Sequence, residues 1–166
     1  YGRLTVLGGK LYGTTNQGGS TSRGTIFEWD PSTNILTSKV SFIRTDASGP
    51  LSGMVLYNGK FYGTTVNGGA NLRGAIYEWD PVTNAFTRKV SFNTPIGWSP
   101  NGILTEIGGK FYGTAQRGGA DANGVLFEWD PVTNIYTKKI DLTSELGSGP
   151  RSDLALMGGK LYGYTS

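Results

Sequence analysis

Six carboxylates stand in three matched pairs along the chain: Glu28 with Asp30, Glu78 with Asp80, and Glu128 with Asp130. Two carboxylates two residues apart are what general acid–base chemistry or an oxygen-ligand cation would use. The residues that would widen that chemistry are missing, because the chain has no His and no Cys. A thiolate site, a disulfide and the usual zinc or copper ligands are therefore ruled out. Only oxygen-ligand ions such as calcium remain, and the expectation is no metal and no cofactor. The carboxylate pairs also recur, whereas a catalytic site is normally singular. Each Asp precedes a Pro and opens a turn, and each Glu is placed to meet Lys39, Lys89 or Lys139 across two strands. They read as structure.

Other residues bear on binding. Trp29, Trp79 and Trp129 recur and would suit stacking on sugars. Their place beside a turn argues instead for packing between repeats. Gly18-Gly19, Gly68-Gly69 and Gly118-Gly119 lack the following helix that a phosphate-cradling loop needs, and read as turns. The binding candidates are loop residues: Arg23, Arg73, Trp98, Arg117 and Asp121, with Arg44 on the same face. Trp98 has no aromatic counterpart, since Ser48 and Ser148 hold the matching positions. It is either a lid over the core or a binding anchor. Arg23 and Arg73 recur, with Asn123 in the third copy. They suit either an anionic ligand or the ordering of a loop through nearby carbonyls.

What positions these residues is a repeat. Trp29-Asp30-Pro31 returns at 79–81 and 129–131, and Lys10-Leu11-Tyr12-Gly13 returns at 60–63, 110–113 and 160–163, always at a step of 50. A period near fifty made of short strand-like runs indicates a propeller blade. In the middle copy, Met54 to Tyr57, Asn58-Gly59 and Lys60 to Thr64 spell strand, two-residue turn, strand. A Gly-rich loop leads to a third strand, Ala75 to Trp79. The Asp80-Pro81-Val82-Thr83-Asn84 turn leads to a fourth, Phe86 to Phe92. The expected fold is all-β, a β-propeller of four-stranded antiparallel blades, with repeats at 1–50, 51–100 and 101–150 and a partial repeat at 151–166. The rival architecture is an open β-solenoid, whose coils are usually shorter than this period.

The aromatic–Asp-Pro-x-Thr-Asn–x–aromatic segment resembles the kelch repeat, although Leu36, Phe86 and Tyr136 replace its preferred second Trp. The Gly-Gly-Lys-Leu-Tyr-Gly-Thr-Thr-x-x-Gly-Gly run has a longer spacing. It is similar to the GloVer tandem repeat of exported bacterial proteins, over essentially the whole chain. That resemblance implies secretion and display at the bacterial cell surface. It implies no particular activity.

Composition narrows the partners. The net charge of +3 is scattered along the chain, which argues against a nucleic-acid partner. No apolar run is long enough to span a bilayer, so membrane insertion is not expected. The chain opens and stops inside its own repeat. It reads as part of a larger whole, in which Leu4, Val6 and Phe27 at one end and Leu154 and Leu161 at the other lack a neighbour. Remaining blades of the same polypeptide or further subunits would cover them. The expected function is a non-enzymatic extracellular or cell-surface module that binds a glycan or protein partner or builds a surface assembly. One alternative is part of a secreted sialidase- or oxidase-like enzyme with its site in other blades. Another is a self-assembling filament subunit.

Overall fold

The computed structural model describes residues 2–165, which form strands, turns and loops without a helix. The first sheet is β1 (Thr5–Leu7), β2 (Lys10–Thr15), β3 (Thr25–Asp30) and β4 (Ile35–Ser41), antiparallel and in chain order. The second follows the same path through β5 (Val55–Tyr57), β6 (Lys60–Thr65), β7 (Ala75–Trp79) and β8 (Phe86–Ser91). After β9 (Trp98–Pro100), the third sheet contains β10 (Thr105–Ile107), β11 (Lys110–Arg117), β12 (Val125–Trp129) and β13 (Tyr136–Asp141). The hairpin β14 (Ala155–Met157) and β15 (Lys160–Tyr162) completes the described chain. The sheets are β-propeller blades.

Local chemistry explains the hairpins. Asn58 and Gly59 take φ of 48° and 76°, the left-handed pair that a two-residue turn between twisted strands demands. Gly113, next along the strand from Tyr112, answers to packing. A Cβ built there would stand 2.6 Å from the ring of Phe127 on the neighbouring strand.

Each of the three full blades carries a β-bulge at the same place. Ile26 pairs with Val40 but Phe27 pairs with Ser38, which leaves Lys39 as the extra residue. The same shift makes extra residues of Lys89 and Lys139. A bulged residue has no ladder partner for its carbonyl, and here that carbonyl serves the next blade. The Trp79 indole Nε1 donates to Asn84 Oδ1 at 3.1 Å, and Asn84 Nδ2 donates to the Lys39 carbonyl at 3.2 Å. Trp129, Asn134 and the Lys89 carbonyl repeat the chain at 3.1 and 3.3 Å. The Trp-Asp-Pro-x-Thr-Asn motif is thus an inter-blade clip.

The core lies between blades. Tyr12 of the first blade meets Phe61 and Trp79 of the second, with ring centroids 4.9 and 5.8 Å apart. Tyr62 meets Phe111 and Trp129 at 5.0 and 5.8 Å in the next junction. Trp79 and Trp129 are fully buried, as packing between repeats requires. Trp29 is only half-buried, because no described blade precedes it. Leu4 and Val6 are correspondingly exposed. Leu154 departs from expectation: it is 7% exposed, because its hairpin docks on the third blade and Thr105 Oγ1 donates to its carbonyl at 2.6 Å. Exposed apolar groups on the same hairpin include Leu156, Met157 and Tyr162.

Candidate binding face

The β2–β3 register sets Tyr12 directly opposite Glu28. Lys10 Nζ donates to Glu28 Oε1 at 2.8 Å, Tyr12 Oη donates to Oε2 at 2.8 Å, and Lys39 stands 3.8 Å from Oε2. Glu78 and Glu128 have matching sets in Lys60, Tyr62 and Lys89 and in Lys110, Tyr112 and Lys139. The Lys10 ammonium holds Glu28 below the usual carboxylate range against some opposing burial, and Lys110 does the same for Glu128. Burial pulls Glu78 upward, but the bonds from Lys60 and Tyr62 prevail and it too lies low. Tyr12 is pushed up to about 12 by burial and by its bond to Glu28. Asp80 Oδ1 accepts from the Val82 and Thr83 backbone N–H groups at 2.8 and 3.2 Å, and closes its own turn. Sequence reasoning anticipated the bulge lysines as partners for Glu. It missed the closer contacts, from Lys and Tyr on the second strand. Every one of these carboxylates is bound within its own blade and held ionised, which is a poor starting point for a proton donor.

The loop face is built differently. The connector before the third blade does not stay irregular: residues 98–100 become β9, with Trp98 opposite Arg117 and Pro100 opposite Ala115. In the preceding junction the equivalent contact is an isolated bridge, Ser48 to Asn67. Several bonds fix the connector. Ser99 N donates to the Arg73 carbonyl at 2.9 Å, Ile96 N to Asn93 Oδ1 at 3.2 Å, and Tyr136 Oη to the Ile96 carbonyl at 2.6 Å. Pairing across the two strands places Arg117 beside the indole, with its Cζ 5.1 Å from the ring centroid. The Cζ of Arg73 lies 4.6 Å from the same centroid. Trp98 is both a partial cover on the second core cluster and a post that holds two guanidinium groups.

A cleft of about 380 Å³ adjoins this post and is lined by Trp98, Gln116, Arg117, Ala122, Asn123 and the 148–149 segment. With its amide oxygen turned toward Arg151, Gln116 accepts from Nη2 and Nε at 2.8 and 2.9 Å. One repeat earlier, a cleft of about 270 Å³ is lined by Arg23, Arg44, Ser48, Asn67, Gly68 and Leu72. Trp98 occupies the position that Ser48 holds there. Among the described residues neither Arg23 nor Arg44 meets a carboxylate, and no carboxylate lines either cleft. In each copy it is the backbone carbonyl at that position, of Arg23, Arg73 or Asn123, that pins the connector.

Asp121 lies apart, on the exposed 118–124 loop and outside both linings. Its counterparts Thr21 and Asn71 donate to the carbonyls of Phe42 and Phe92. An ionised carboxylate has no proton to give, so Asp121 makes no such bond. A larger cavity of about 530 Å³ opens near the lead-ins to the inner strands, with Arg151 and Asp153 as its charged lining. Both are already engaged, Arg151 by Gln116 and Asp153 by the Ile103 N–H at 2.6 Å.

The class of the molecule follows from this geometry: a β-propeller array whose turns clip the blades together and whose opposite loops carry unrepeated side chains. The chain belongs to the Gloeobacter/Verrucomicrobia repeat family, whose model matches residues 1–166. Among solved structures it is similar to the tricorn protease, with 16% identity, a TM-score of 0.54 and coverage of 84% of this chain and 13% of the other. TolB from Acinetobacter baumannii gives 20%, 0.52, 86% and 31% on the same measures. A structure of a nidogen/laminin complex gives 13%, 0.60, 88% and 48%. These likenesses show the propeller fold, and the chain spans less than half the length of each of these three. No curated protein matches it. No helix of the described residues is long and apolar enough to cross a membrane.

Proposed function

We propose that this chain is a non-enzymatic binding module, displayed outside the cell or on the cell surface, that takes a glycan or protein partner on its loop face. The carrying observation is an imbalance. The repeated carboxylates are spent in ion pairs and turns, while the guanidiniums of Arg23, Arg44, Arg73 and Arg117 gather on one face without carboxylate partners. Charges left unpaired on a rigid scaffold are what a recognition surface holds in reserve. The propeller in the nidogen/laminin complex supports the reading by example, as a fold of this shape found in an assembly with another protein. Exported display rests on the resemblance to the tandem repeat of exported bacterial proteins, and the non-enzymatic reading on the repeated glutamates being bound by lysine and tyrosine within their own blades.

The test is a panel of immobilised glycans and proteins probed with the native polypeptide. Its counterpart is a variant in which all four arginines are replaced by alanine. Binding that disappears in the variant while the melting temperature holds supports the reading. Binding that the variant retains in full places recognition elsewhere.

A further inference from the structure

We infer that the two neighbouring clefts form one extended site for an acidic polysaccharide, each cleft receiving one uronate unit of the chain. This inference rests on the loop-face reading above and specifies its ligand.

The arrangement itself points to a polymer. Arg23 and Arg44 converge on the first cleft, Arg73 and Arg117 flank the second, and the two clefts stand one repeat apart on one face. Of the acidic residues in the flanking loops, Asp46 is tied to Arg88 at 3.3 Å, and Asp121 and Glu145 lie outside both linings. An anion entering either cleft therefore meets guanidinium without a competing carboxylate. The cations are arginines, whose planar fork matches a carboxylate with two parallel N–H donors where a lysine offers a point charge. Stacking Arg73 and Arg117 on Trp98 restrains them before a ligand arrives and reduces the entropy lost on binding.

The linings separate a sugar acid from other anions. Asn67 and Ser48 in one cleft, and Gln116 and Asn123 in the other, supply polar groups suited to hydroxyls. Volumes of about 270 and 380 Å³ suit a single sugar unit and lie at the low end for apolar drug-like ligands. A protein partner would be expected to bury a large apolar anchor, and apart from Trp98 only Leu72 lines either cleft as a large apolar group. A single-stranded nucleic acid would require free aromatic faces for its bases, and the ring of Trp98 is already engaged by two cations.

Calorimetric titration of the native polypeptide with polygalacturonate tests this. Methyl-esterified polygalacturonate, poly-glutamate and single-stranded DNA serve as comparison probes. Polygalacturonate is expected to bind, weaken as salt screens the charges, and lose its affinity on esterification. Replacing Arg23 and Arg44, or Arg73 and Arg117, with alanine is expected to weaken binding by about tenfold or more in each case, the loss of a charge-assisted contact. Melting temperatures should hold, and R73K/R117K should recover only part of the affinity. Equal binding of the esterified polymer, or tighter arginine-dependent binding of poly-glutamate or DNA, would overturn the ligand class while leaving the binding face in place. Binding indifferent to all four arginines would overturn both, and absence of any polygalacturonate binding would overturn the inference.

Discussion

Glu78 receives Lys60 at 2.8 Å and Tyr62 at 3.0 Å while half-exposed lysines screen it from water, and its copies in the other blades do the same. Each of the three carboxyls has a folded-state pKa below the ordinary 4.5. A depressed carboxylate pKa contributes stability that is complete above the unfolded value and is lost as pH falls through the folded one. The melting temperature should therefore be steady from neutral pH down to about 4.5 and drop below it. A triple variant with Glu28, Glu78 and Glu128 changed to Gln should begin lower and fall less. Parallel curves for the two proteins would show that these pairs do not govern acid sensitivity. The repeated tryptophans make a second residue-scale test. Trp79 is fully buried between blades, so Trp79→Ala should cost roughly 3–5 kcal/mol in chemical denaturation. Trp29→Ala should cost distinctly less, since its outer side lacks the tyrosine that a preceding blade supplies to Trp79 and Trp129. Equal losses would mean that the ring matters for its own turn and not for the junction.

At the scale of elements, the clip between blades is the feature that a single substitution can isolate. Asn84 has φ of 58°, so Asn84→Gly keeps the backbone unstrained and removes only the amide. It breaks the bonds to Trp79 and to the Lys39 carbonyl and should cost about 1–3 kcal/mol. Asn34→Gly loses only the 3.3 Å bond to Trp29 and should cost less by differential scanning calorimetry. The reverse ranking would assign the motif to turn formation alone. Much at this scale was legible beforehand. Asn58-Gly59 announces its hairpin through φ, Asp80-Pro81 announces its turn, and a fixed period of 50 places every copy. The loop-face pairing was not legible. Trp98 and Arg117 are 19 residues apart by subtraction, in segments that read as irregular connector and Gly-rich loop. Only the pairing of β9 with β11 puts them on one side of a sheet. No local propensity marks that pairing, because Ser48 in the same position gives no strand. The bulge was equally hidden. An extra residue in one strand leaves the hydrophobic alternation looking like noise until its register is known.

The whole molecule is a stack whose inner junctions are closed and whose ends are open. Leu4 and Val6 face outward at one end and Leu156 and Met157 at the other, and Thr114 Oγ1 is buried without a partner beside the last hairpin. The equivalent hydroxyls of Thr14 and Thr64 donate to the Ser52 and Gly102 carbonyls, which lead into the next blade. Residues 1–166 produced alone are therefore expected to associate through these ends, as open or closed head-to-tail arrays. Sedimentation of a monodisperse 17.7 kDa monomer with cooperative unfolding would contradict this. The molecule divides into a shared scaffold and individual loops. Hydrogen exchange measured across the native polypeptide, with and without saturating polygalacturonate, tests this division most directly. Slowed exchange is predicted in the 42–49, 66–74, 92–99 and 116–124 segments, with the Asp-Pro turns at 30–34, 80–84 and 130–134 unchanged. Protection gathered at those turns, with the loop segments exchanging as before, would contradict it.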